Sequence, residues 1–379
     1  MSQQLRPDFP SVIPIAPIRD AWPLPQAGDF VPPISGHALL DQLGRPLRDL
    51  RISVTDRCNF RCGYCMPRDV FDKHHAFLPQ TQLLTFEEIT NVADAFVGLG
   101  VRKLRITGGE PLLRKDIETL IRQLATLRCA DGTPPELALT TNGALLTKKA
   151  KQLREAGLHR LTVSLDALDD VVFKRMSDTD LNVQAVLDGI TAAQAAGFPS
   201  IKVNAVIQRG VNDHQILPIA RHFHGTGVEV RFIEFMDVGN TNLWEMDRVL
   251  TAEQIRNALH AEMPLQLLPR DTHSTAQRWA YADGGGHVGF IASVTQPFCG
   301  DCSRMRLSTD GKLFTCLFAG QGYDLRHAIR DEQLASEPLR QKIAAVWRQR
   351  HDRYSEQRDA RGASKVDAQP KVEMSFIGG

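Results

Sequence analysis

Short β-type runs alternate with helical patterns between residues 50 and 235, and this alternation constrains the fold more than any other feature of the chain. Such alternation is typical of βα units that build a parallel sheet. Six units predict an α/β fold, an incomplete (β/α)6 TIM-like barrel open at one side. The predicted strands are Arg51–Thr55, Lys103–Thr107, Glu136–Thr140, Arg160–Leu165, Ser200–Val206 and Val228–Glu234.

Several helix ends can be predicted between these strands. Thr85 and Glu88 form a capping-box pattern, and Thr147 is the predicted N-cap of the helix that follows it. Gly157 and Gly197 stand where helix C-caps belong.

One face of several predicted strands is polar, which is unusual for a barrel interior. Strand alternation places Arg51, Arg105 and Lys202 on this face, together with Thr and Ser side chains. The polar face could point to solvent, as in many antiparallel sheets. In a parallel sheet covered by helices the outer face must be apolar, which favours the interior. Buried cations of this kind would need an anionic ligand.

The pattern changes after residue 250, with a predicted helix over Thr251–Ala261 and two β-type runs joined at Asp310-Gly311, a hairpin turn signal. We expect a smaller C-terminal α+β layer that closes the barrel. The predicted organisation is a Pro-rich flexible leader over 1–45, the barrel over 46–250, the layer over 251–350 and a mobile tail over 351–379 that ends in Gly-Gly.

Charge and hydropathy exclude some classes of partner. With 45 Lys and Arg against 44 Asp and Glu among 379 residues, no overall field would draw the chain to nucleic acid or a membrane surface. No apolar run approaches the roughly 18 residues that a membrane span needs. The acidic, proline-rich start is unlike a targeting segment, so we expect a soluble cytoplasmic protein.

Three cysteines follow the first predicted strand in the spacing Cys58-x3-Cys62-x2-Cys65. Three thiolates can hold three irons of a [4Fe-4S] cubane, which leaves one iron open to bind S-adenosylmethionine (SAM). The alternative is a zinc site with a fourth ligand from His74 or His75. The spacing with an aromatic residue at Tyr64 is the radical SAM signature, and Gly108-Gly109-Glu110-Pro111 after the second strand matches the segment that holds the SAM amino group.

A second group, Cys299-x2-Cys302-x13-Cys316, lies in the C-terminal layer. A second [4Fe-4S] cluster with an open iron could bind a substrate nitrogen or oxygen. Zinc is again the alternative, with His287 and His327 flanking the group. Arginines at alternate positions beside these cysteines suit phosphate recognition. The isolated Cys129 is expected to be a structural thiol.

The chain resembles the GTP 3′,8-cyclase family of molybdenum cofactor biosynthesis, within the radical SAM superfamily, over about residues 45 to 379. The resemblance rests on six motifs in order and on the terminal glycines Gly378-Gly379. The motifs are Arg51–Pro67, Leu104–Leu112, Thr140–Gly143, Val163–Asp166, Arg231–Met236 and Phe298–Leu307.

The resemblance implies a role for each matching residue. Cys58, Cys62 and Cys65 would hold one [4Fe-4S] cluster, and Cys299, Cys302 and Cys316 a second. The implied SAM contacts are Tyr64, Gly109, Ser164 and Met236. The implied GTP contacts are Arg51, Arg105, Thr140, Lys202, Arg304, Met305 and Arg306. Gly378 and Gly379 would reach into the active site and take part in catalysis.

The implied reaction starts from a 5′-deoxyadenosyl radical, which removes the ribose 3′ hydrogen of GTP before C3′ joins guanine C8. One further electron and one proton would then give the product, 3′,8-cyclo-GTP. The implied partners are an electron donor such as flavodoxin or ferredoxin and a downstream cyclic pyranopterin monophosphate synthase, with a homodimer as a possible assembly. Two alternatives stay open from the residues alone, a radical SAM maturase that modifies peptides and a non-catalytic metal-binding module.

Overall fold

The computed structural model describes residues 21–25, 38–242, 244–270, 274–334, 336–357 and 371–378. Within these residues, twelve strands form one sheet, with eleven α-helices around it. The strands are β1 Asp49–Ser53, β2 Lys103–Thr107, β3 Glu136–Thr141, β4 Arg160–Ser164, β5 Ser200–Ile207, β6 Glu229–Glu234, β7 Leu265–Leu267, β8 Gln277–Tyr281, β9 His287–Ile291, β10 Arg304–Leu307, β11 Lys312–Phe314 and β12 Tyr323–Asp324. The helices are α1 Phe86–Gly98, α2 Ile117–Ala125, α3 Leu146–Glu155, α4 Asp170–Ser177, α5 Val183–Ala195, α6 Ile216–Phe223, α7 Ala252–Glu262, α8 Arg326–Arg330, α9 Ser336–Arg348, α10 Tyr354–Gln357 and α11 Met374–Ile377.

Strands β1 to β6 lie side by side in chain order, and each pair is parallel. The six predicted βα units are therefore confirmed, with strand ends that shift by at most two residues. The C-terminal strands extend both edges of this parallel sheet: β10 pairs with β1, and β9 pairs with β6. The hairpin predicted at Asp310-Gly311 joins β10 to β11, where Arg306 pairs with Phe314.

The apolar face of the parallel strands forms the core against the helices. Leu50 and Ile52 of β1, with Leu104 and Ile106 of β2, are completely buried. Each such side chain stabilises the fold by roughly 1.5–3 kcal/mol relative to exposure. Because side chains alternate along a strand, burial of this set turns the polar residues between them toward the other face of the sheet.

Local signals explain several helix ends. The capping box at Thr85 and Glu88 starts α1, and Gly157 and Gly197 have φ of 104° and 74° after α3 and α5. The predicted N-cap Thr147 is wrong, since α3 begins at Leu146 without a side-chain cap. Leu146 is fully buried, so packing sets this start.

Parts of the predicted leader and tail are packed rather than flexible. In the segment 38–45, Leu39 and Arg45 are only 3% and 1% exposed. Trp22 pairs with the edge strand β12, donating its N–H to the carbonyl of Gly322 at 2.9 Å. Residues 371–378 include α11, whose Ile377 is fully buried. Apolar anchors and buried charge hold these segments, and residues 1–20, 26–37 and 358–370 lie outside the described part.

No helix within the described ranges is long and apolar enough to cross a membrane.

Candidate functional site

The polar faces of β1, β2, β3, β5 and β6 border a cavity of about 1040 Å³, counting the part open to solvent. Residues of the C-terminal part of the chain line the rest of the cavity. The prediction that the polar strand face points inward is therefore confirmed. The lining side chains relevant to chemistry are Arg51, Arg105, Thr140, Asn204, Arg231, Met236, Phe298, Cys299, Cys302, Arg304, Arg306, Cys316, Arg350, Asp352 and Met374.

The cavity is strongly cationic, because six of its described lining residues are arginines, while Asp352 is the one carboxylate among them. The Nε atoms of Arg51 and Arg105 are buried and have no hydrogen-bond partner. Burial, together with the like charges of Arg306 and Arg105, lowers the pKa of Arg51 well below its ordinary value. Burial likewise lowers the pKa of Arg306 to about 10. Repelling, incompletely paired cations of this kind are stabilised by an anionic ligand.

Thr140 Oγ1 and Asn204 Oδ1 are also buried without a hydrogen-bond partner, and both residues line the same cavity. They add neutral polar groups to the cationic wall. A ligand with a charged and a polar part would satisfy both kinds of group.

Two of the seven residues predicted to hold the substrate, Lys202 and Met305, are not among the residues that line the cavity. Lys202 Nζ pairs with Glu229 Oε1 at 3.0 Å, and Arg231 Nε reaches the same oxygen at 2.7 Å. Burial alone would raise the pKa of Glu229, but Arg231 and Lys202 lower it to about 2. The side chain of Met305 is fully buried in the hydrophobic core, on the opposite face of β10 from Arg304 and Arg306.

Sequence reasoning missed Arg231 and Phe298 in the cavity wall. Strand alternation in the sixth predicted strand places Arg231 on the polar face and would have identified it. Phe298 lies under the guanidinium of Arg304, with the ring centroid 4.9 Å from Cζ. Strand alternation likewise places Asn204 on the same polar face as Lys202, and Asn204 lines the cavity.

The first cysteine loop follows β1 and is fixed by its own turn. The backbone N–H groups of Cys65 and Met66 both donate to the carbonyl of Cys62 at 2.9 Å. The hydroxyl of Tyr64 donates to Asp166 Oδ2 at 2.8 Å, which ties the loop to the end of β4. Burial raises the pKa of Cys62 well above its usual value, and the neighbouring Cys58 and Cys65 raise it further. The three thiols, each half-buried, therefore influence one another within one loop, where bound iron would favour their thiolate forms.

The Gly-Gly-Glu-Pro segment locks against this loop. The N–H of Gly109 donates to the carbonyl of Thr55 at 2.8 Å, and the N–H of Glu110 to that of Arg57 at 2.8 Å. A Cβ at Gly109 would overlap the carbonyl oxygen of Arg57. Glycine is thus required for this close approach.

The Glu110 carboxylate, in the segment predicted to hold the SAM amino group, makes most of its hydrogen bonds to the fold itself. It accepts from Leu112 N at 3.0 Å, Thr141 Oγ1 at 2.7 Å and Asn142 N at 2.8 Å. Three of its roughly four acceptor positions are thereby used. Burial raises the pKa of Glu110 to about 7.

The other predicted SAM contacts lie at the same ends of the strands. Ser164 ends β4 and pairs in register with Asn204 of β5. Met236 follows β6 and lines the cavity. Ser164, Met236 and the cysteine loop all lie at or just beyond the C-terminal ends of parallel strands, where βα barrels carry their chemistry.

All three cysteines of the second group line the cavity with the arginines. Arg304 Nη2 approaches Cys302 Sγ at 3.3 Å. Burial alone would raise the pKa of Cys302, but Arg304 and Arg350 lower it to about 6. This thiol is already biased toward the thiolate that binds iron.

A buried ion network outside the motifs holds the loop between Cys299 and Cys302. Arg45 Nη1 donates to the carbonyl of Cys299 at 2.9 Å, and Arg350 Nη1 to that of Cys302 at 2.7 Å. Asp41 Oδ2 pairs with Arg45 Nε at 2.6 Å and with Arg350 Nη1 at 3.3 Å. No sequence motif identified these residues.

The described end of the chain lies in the same cavity region. The carbonyl of Gly378 accepts from Arg306 Nη1, as does that of Ile377 at 3.3 Å. Gly378 has φ of 72°, and a Cβ there would overlap Thr107 Oγ1. The prediction for Gly379 lies outside the described residues.

In the described ranges, no three His, Cys, Asp or Glu side chains are arranged to hold one metal ion. All seven cysteines are free thiols, and Cys129 is a buried one whose Sγ lies 3.9 Å from the carbonyl oxygen of Val101, as expected of a structural thiol. His75 packs between the rings of Phe71 and Phe77, each 4.7 Å away.

Comparison with known proteins identifies two family models and close relatives. A model described as Radical SAM superfamily matches residues 52–223, and one described as Molybdenum Cofactor Synthesis C matches residues 228–356. The chain is 51% identical over 360 residues to the GTP 3′,8-cyclase of Acidothermus cellulolyticus, covering 89% of this chain and 98% of that protein. It is 50% identical over 352 residues to the GTP 3′,8-cyclase of Xanthomonas campestris pv. campestris, covering 92% and 100%.

Among solved structures, Streptococcus suis SuiB is similar with a TM-score of 0.54 at 14% identity. The match covers 79% of this chain and 65% of SuiB, so this chain spans just under two thirds of that protein. This likeness supports the fold alone.

Proposed function

Because the chain belongs to the GTP 3′,8-cyclase family, we propose that its arginine-lined cavity binds GTP beside two cysteine-held iron–sulfur clusters. The chain is a radical SAM enzyme that cyclises GTP in molybdenum cofactor biosynthesis. The observation that carries the site assignment is the pair of buried Nε atoms of Arg51 and Arg105 without hydrogen-bond partners, in a cavity shared with three thiols. A triphosphate supplies the charge and the acceptors that these groups lack.

Membership of the radical SAM superfamily implies a [4Fe-4S] cluster and SAM. The first cysteine loop fits this cluster, since three neighbouring thiols leave one iron without a protein ligand. Cys58, Cys62 and Cys65 would hold it, with Tyr64, Gly109, Ser164 and Met236 at the SAM side. When bound, the cluster and SAM supply the 5′-deoxyadenosyl radical that removes the ribose 3′ hydrogen before C3′ joins guanine C8.

Cys299, Cys302 and Cys316 would hold a second [4Fe-4S] cluster at the substrate side of the cavity. Three thiols that open to one cavity, one of them favoured as a thiolate by Arg304 and Arg350, support this proposal. An open iron there would orient the guanine base.

The chain's own side chains would bind and orient the substrate. Arg51, Arg105, Arg304 and Arg306 would pair with the triphosphate of GTP. Thr140 would form a hydrogen bond with the uncharged polar part of GTP. Lys202 would act indirectly, by fixing Glu229 and through it Arg231, and Met305 could contribute only backbone groups. Gly378, with Gly379 beyond it, would close the cavity beside Arg306 and exclude water from the radical step.

The wider assignments belong to the same proposal. The parallel strands would curve into an incomplete (β/α)6 barrel over 46–250, with the C-terminal layer over 251–350 against its open side. An electron donor such as flavodoxin or ferredoxin would reduce the first cluster, and a cyclic pyranopterin monophosphate synthase would use the product. The cytoplasm, which keeps thiols reduced, would suit this chemistry.

Anaerobic reconstitution followed by turnover with GTP and SAM tests the proposal. We expect about eight irons and eight sulfides per chain, as two cubanes require, and a cyclised product by mass spectrometry. Cys62→Ala should lose 5′-deoxyadenosine formation, whereas Cys316→Ala should keep about four irons and lose the cyclised product. Zinc without sulfide in the wild-type protein would contradict the proposal.

A further inference from the structure

The start of the described C-terminal segment 371–378 packs against the loop that follows β6. Asn240 of that loop hydrogen-bonds to the backbone of the segment. Asn240 Oδ1 accepts from the N–H of Lys371 at 2.9 Å, and Asn240 Nδ2 donates to the carbonyl of Lys371. One side-chain amide thus satisfies both backbone groups of one residue, as a neighbouring strand would. Such pairing fixes the position and direction of the segment.

The charged side chains at the start of the segment are matched by the same loop. Lys371 Nζ donates to the carbonyl of Asp237 at 2.7 Å and to its Oδ2 at 3.0 Å. Glu373 accepts from Asn240 N at 3.0 Å and from Thr241 Oγ1 at 3.2 Å. A Cβ at Gly239 would overlap the Glu373 carboxylate, so the loop approaches it closely. Lys371 and Asp237 are only 15% and 13% exposed, which limits screening of their ion pair.

Residues that follow Cys316 and residue Tyr354 also contact this segment. The rings of Phe318 and Tyr354 stack at 4.4 Å, and Lys371 Nζ lies 5.4 Å and 4.7 Å from their centroids. The N–H of Val372 donates to the carbonyl of Ala319 at 3.0 Å. Ala319 lies three residues after Cys316. The segment therefore bridges the barrel side and the C-terminal layer.

Only the single turn α11 separates these contacts from Gly378. Val372 and Ile377 are buried together against Phe314, so the connection is short and packed. A displacement at Lys371 would therefore move Gly378 away from Arg306 and Thr107.

We propose that Lys371 and Glu373, with their partners Asp237 and Asn240, form a tail latch that positions Gly378 in the cavity. These four are positioning residues, since they act through the terminal segment and not on the substrate. The functional consequence rests on the proposed role of the terminal glycines in GTP cyclisation. The docking itself does not depend on that role.

Hydrogen exchange measured by mass spectrometry on the full-length, reconstituted enzyme tests the docking. In Lys371→Met and Asn240→Ala, we expect the amides of 374–378 to exchange about tenfold faster. This factor corresponds to the net stabilisation that one or two hydrogen bonds provide. Lys371→Arg, which can still donate to Asp237, should exchange nearly as slowly as wild type. The matched control is Arg221→Met, which removes an exposed ion pair with Glu262 at 2.9 Å and should leave these amides unchanged.

Steady-state kinetics with GTP test the consequence. Lys371→Met and Asn240→Ala should lower kcat about tenfold at unchanged iron content, with Lys371→Arg restoring most of it. Unchanged exchange at 374–378 would overturn the latch. So would faster exchange with wild-type kcat and KM, or loss of iron from Lys371→Met, which would make these contacts part of the general fold. Failure of the wild-type enzyme to cyclise GTP would instead refute the proposed function, while the exchange result would still decide the docking.

Discussion

Replacement of Gly109 by alanine probes the contact between the first cysteine loop and the segment after β2. The new Cβ would overlap the carbonyl of Arg57, with the carbonyl oxygen of Asp56 only 3.1 Å away, and both are backbone atoms that cannot rotate aside. Relief requires the two loops to separate by about 1 Å, since non-bonded atoms prefer about 3.5–4.0 Å. That separation would break the hydrogen bonds of Gly109 N and Glu110 N, both 2.8 Å long.

The expected cost follows from these contacts. Overpacking costs about 1–3 kcal/mol, and two lost hydrogen bonds add about 1 kcal/mol each. The free energy of unfolding should therefore fall by about 3–5 kcal/mol, and the first cysteine loop should lose its fixed shape. We expect Gly109→Ala to retain about half of the wild-type iron, because the second cysteine group is not touched.

Gly63→Ala is the matched control for this experiment. Gly63 lies inside the same cysteine loop, but a Cβ there meets no atom within 4 Å. Its free energy of unfolding should stay within about 0.5 kcal/mol of wild type, with full iron content. Both quantities are measured anaerobically, by urea unfolding and by iron and sulfide analysis. Wild-type iron and stability in Gly109→Ala, or equal losses in both variants, would refute the steric argument.

Three further predictions concern the charged groups. Burial alone would raise the pKa of Glu229, but Arg231 and Lys202 lower it to about 2 from a usual 4.5, so its contribution to stability is present above pH 4.5 and lost as the pH falls toward 2. Urea unfolding of Glu229→Gln should show about 2–3 kcal/mol less stability at pH 7 and a flatter pH dependence between pH 5 and 3; an unchanged slope would contradict the pairing. Arg105→Met should raise the Kd for GTP about 10- to 100-fold in anaerobic calorimetry, through loss of a charge-assisted contact, and an unchanged Kd would remove Arg105 from the site. Arg45→Met should lower the iron content toward that of one cluster, because it removes the hydrogen bond to the Cys299 carbonyl and one ion-pair partner of Asp41. Arg102→Met, which removes an exposed ion pair with Asp131, should keep the full iron content.

Features set by local pattern could be predicted from the sequence. The period-two alternation of β1 and β2 identified Arg51 and Arg105 on an inward face, because helices on the outside leave only one face polar. The spacing of each cysteine group also identified the candidate ligands, since it is readable directly along the chain. The same alternation places Met305 between Arg304 and Arg306 on the opposite face, where the structure has it.

Features set by long-range pairing could not be predicted. Lys202 faces Glu229 because the two are register partners on β5 and β6, and register is not visible in a single strand. Arg45 reaches the carbonyl of Cys299, 254 residues away in the chain. The packing of residues 371–378 likewise depends on partners near 240 and 318, whereas the polar composition of 351–373 alone suggested mobility.

Turnover with GTP that carries deuterium at the ribose 3′ position tests the central claim most directly. The reconstituted enzyme, SAM and a reductant are combined without oxygen, and 5′-deoxyadenosine and the nucleotide product are analysed by mass spectrometry. We predict one deuterium transferred into 5′-deoxyadenosine and a product joined between C3′ and guanine C8. Unlabelled 5′-deoxyadenosine, or GTP recovered unchanged while SAM is cleaved, would contradict the assignment of this cavity to GTP cyclisation.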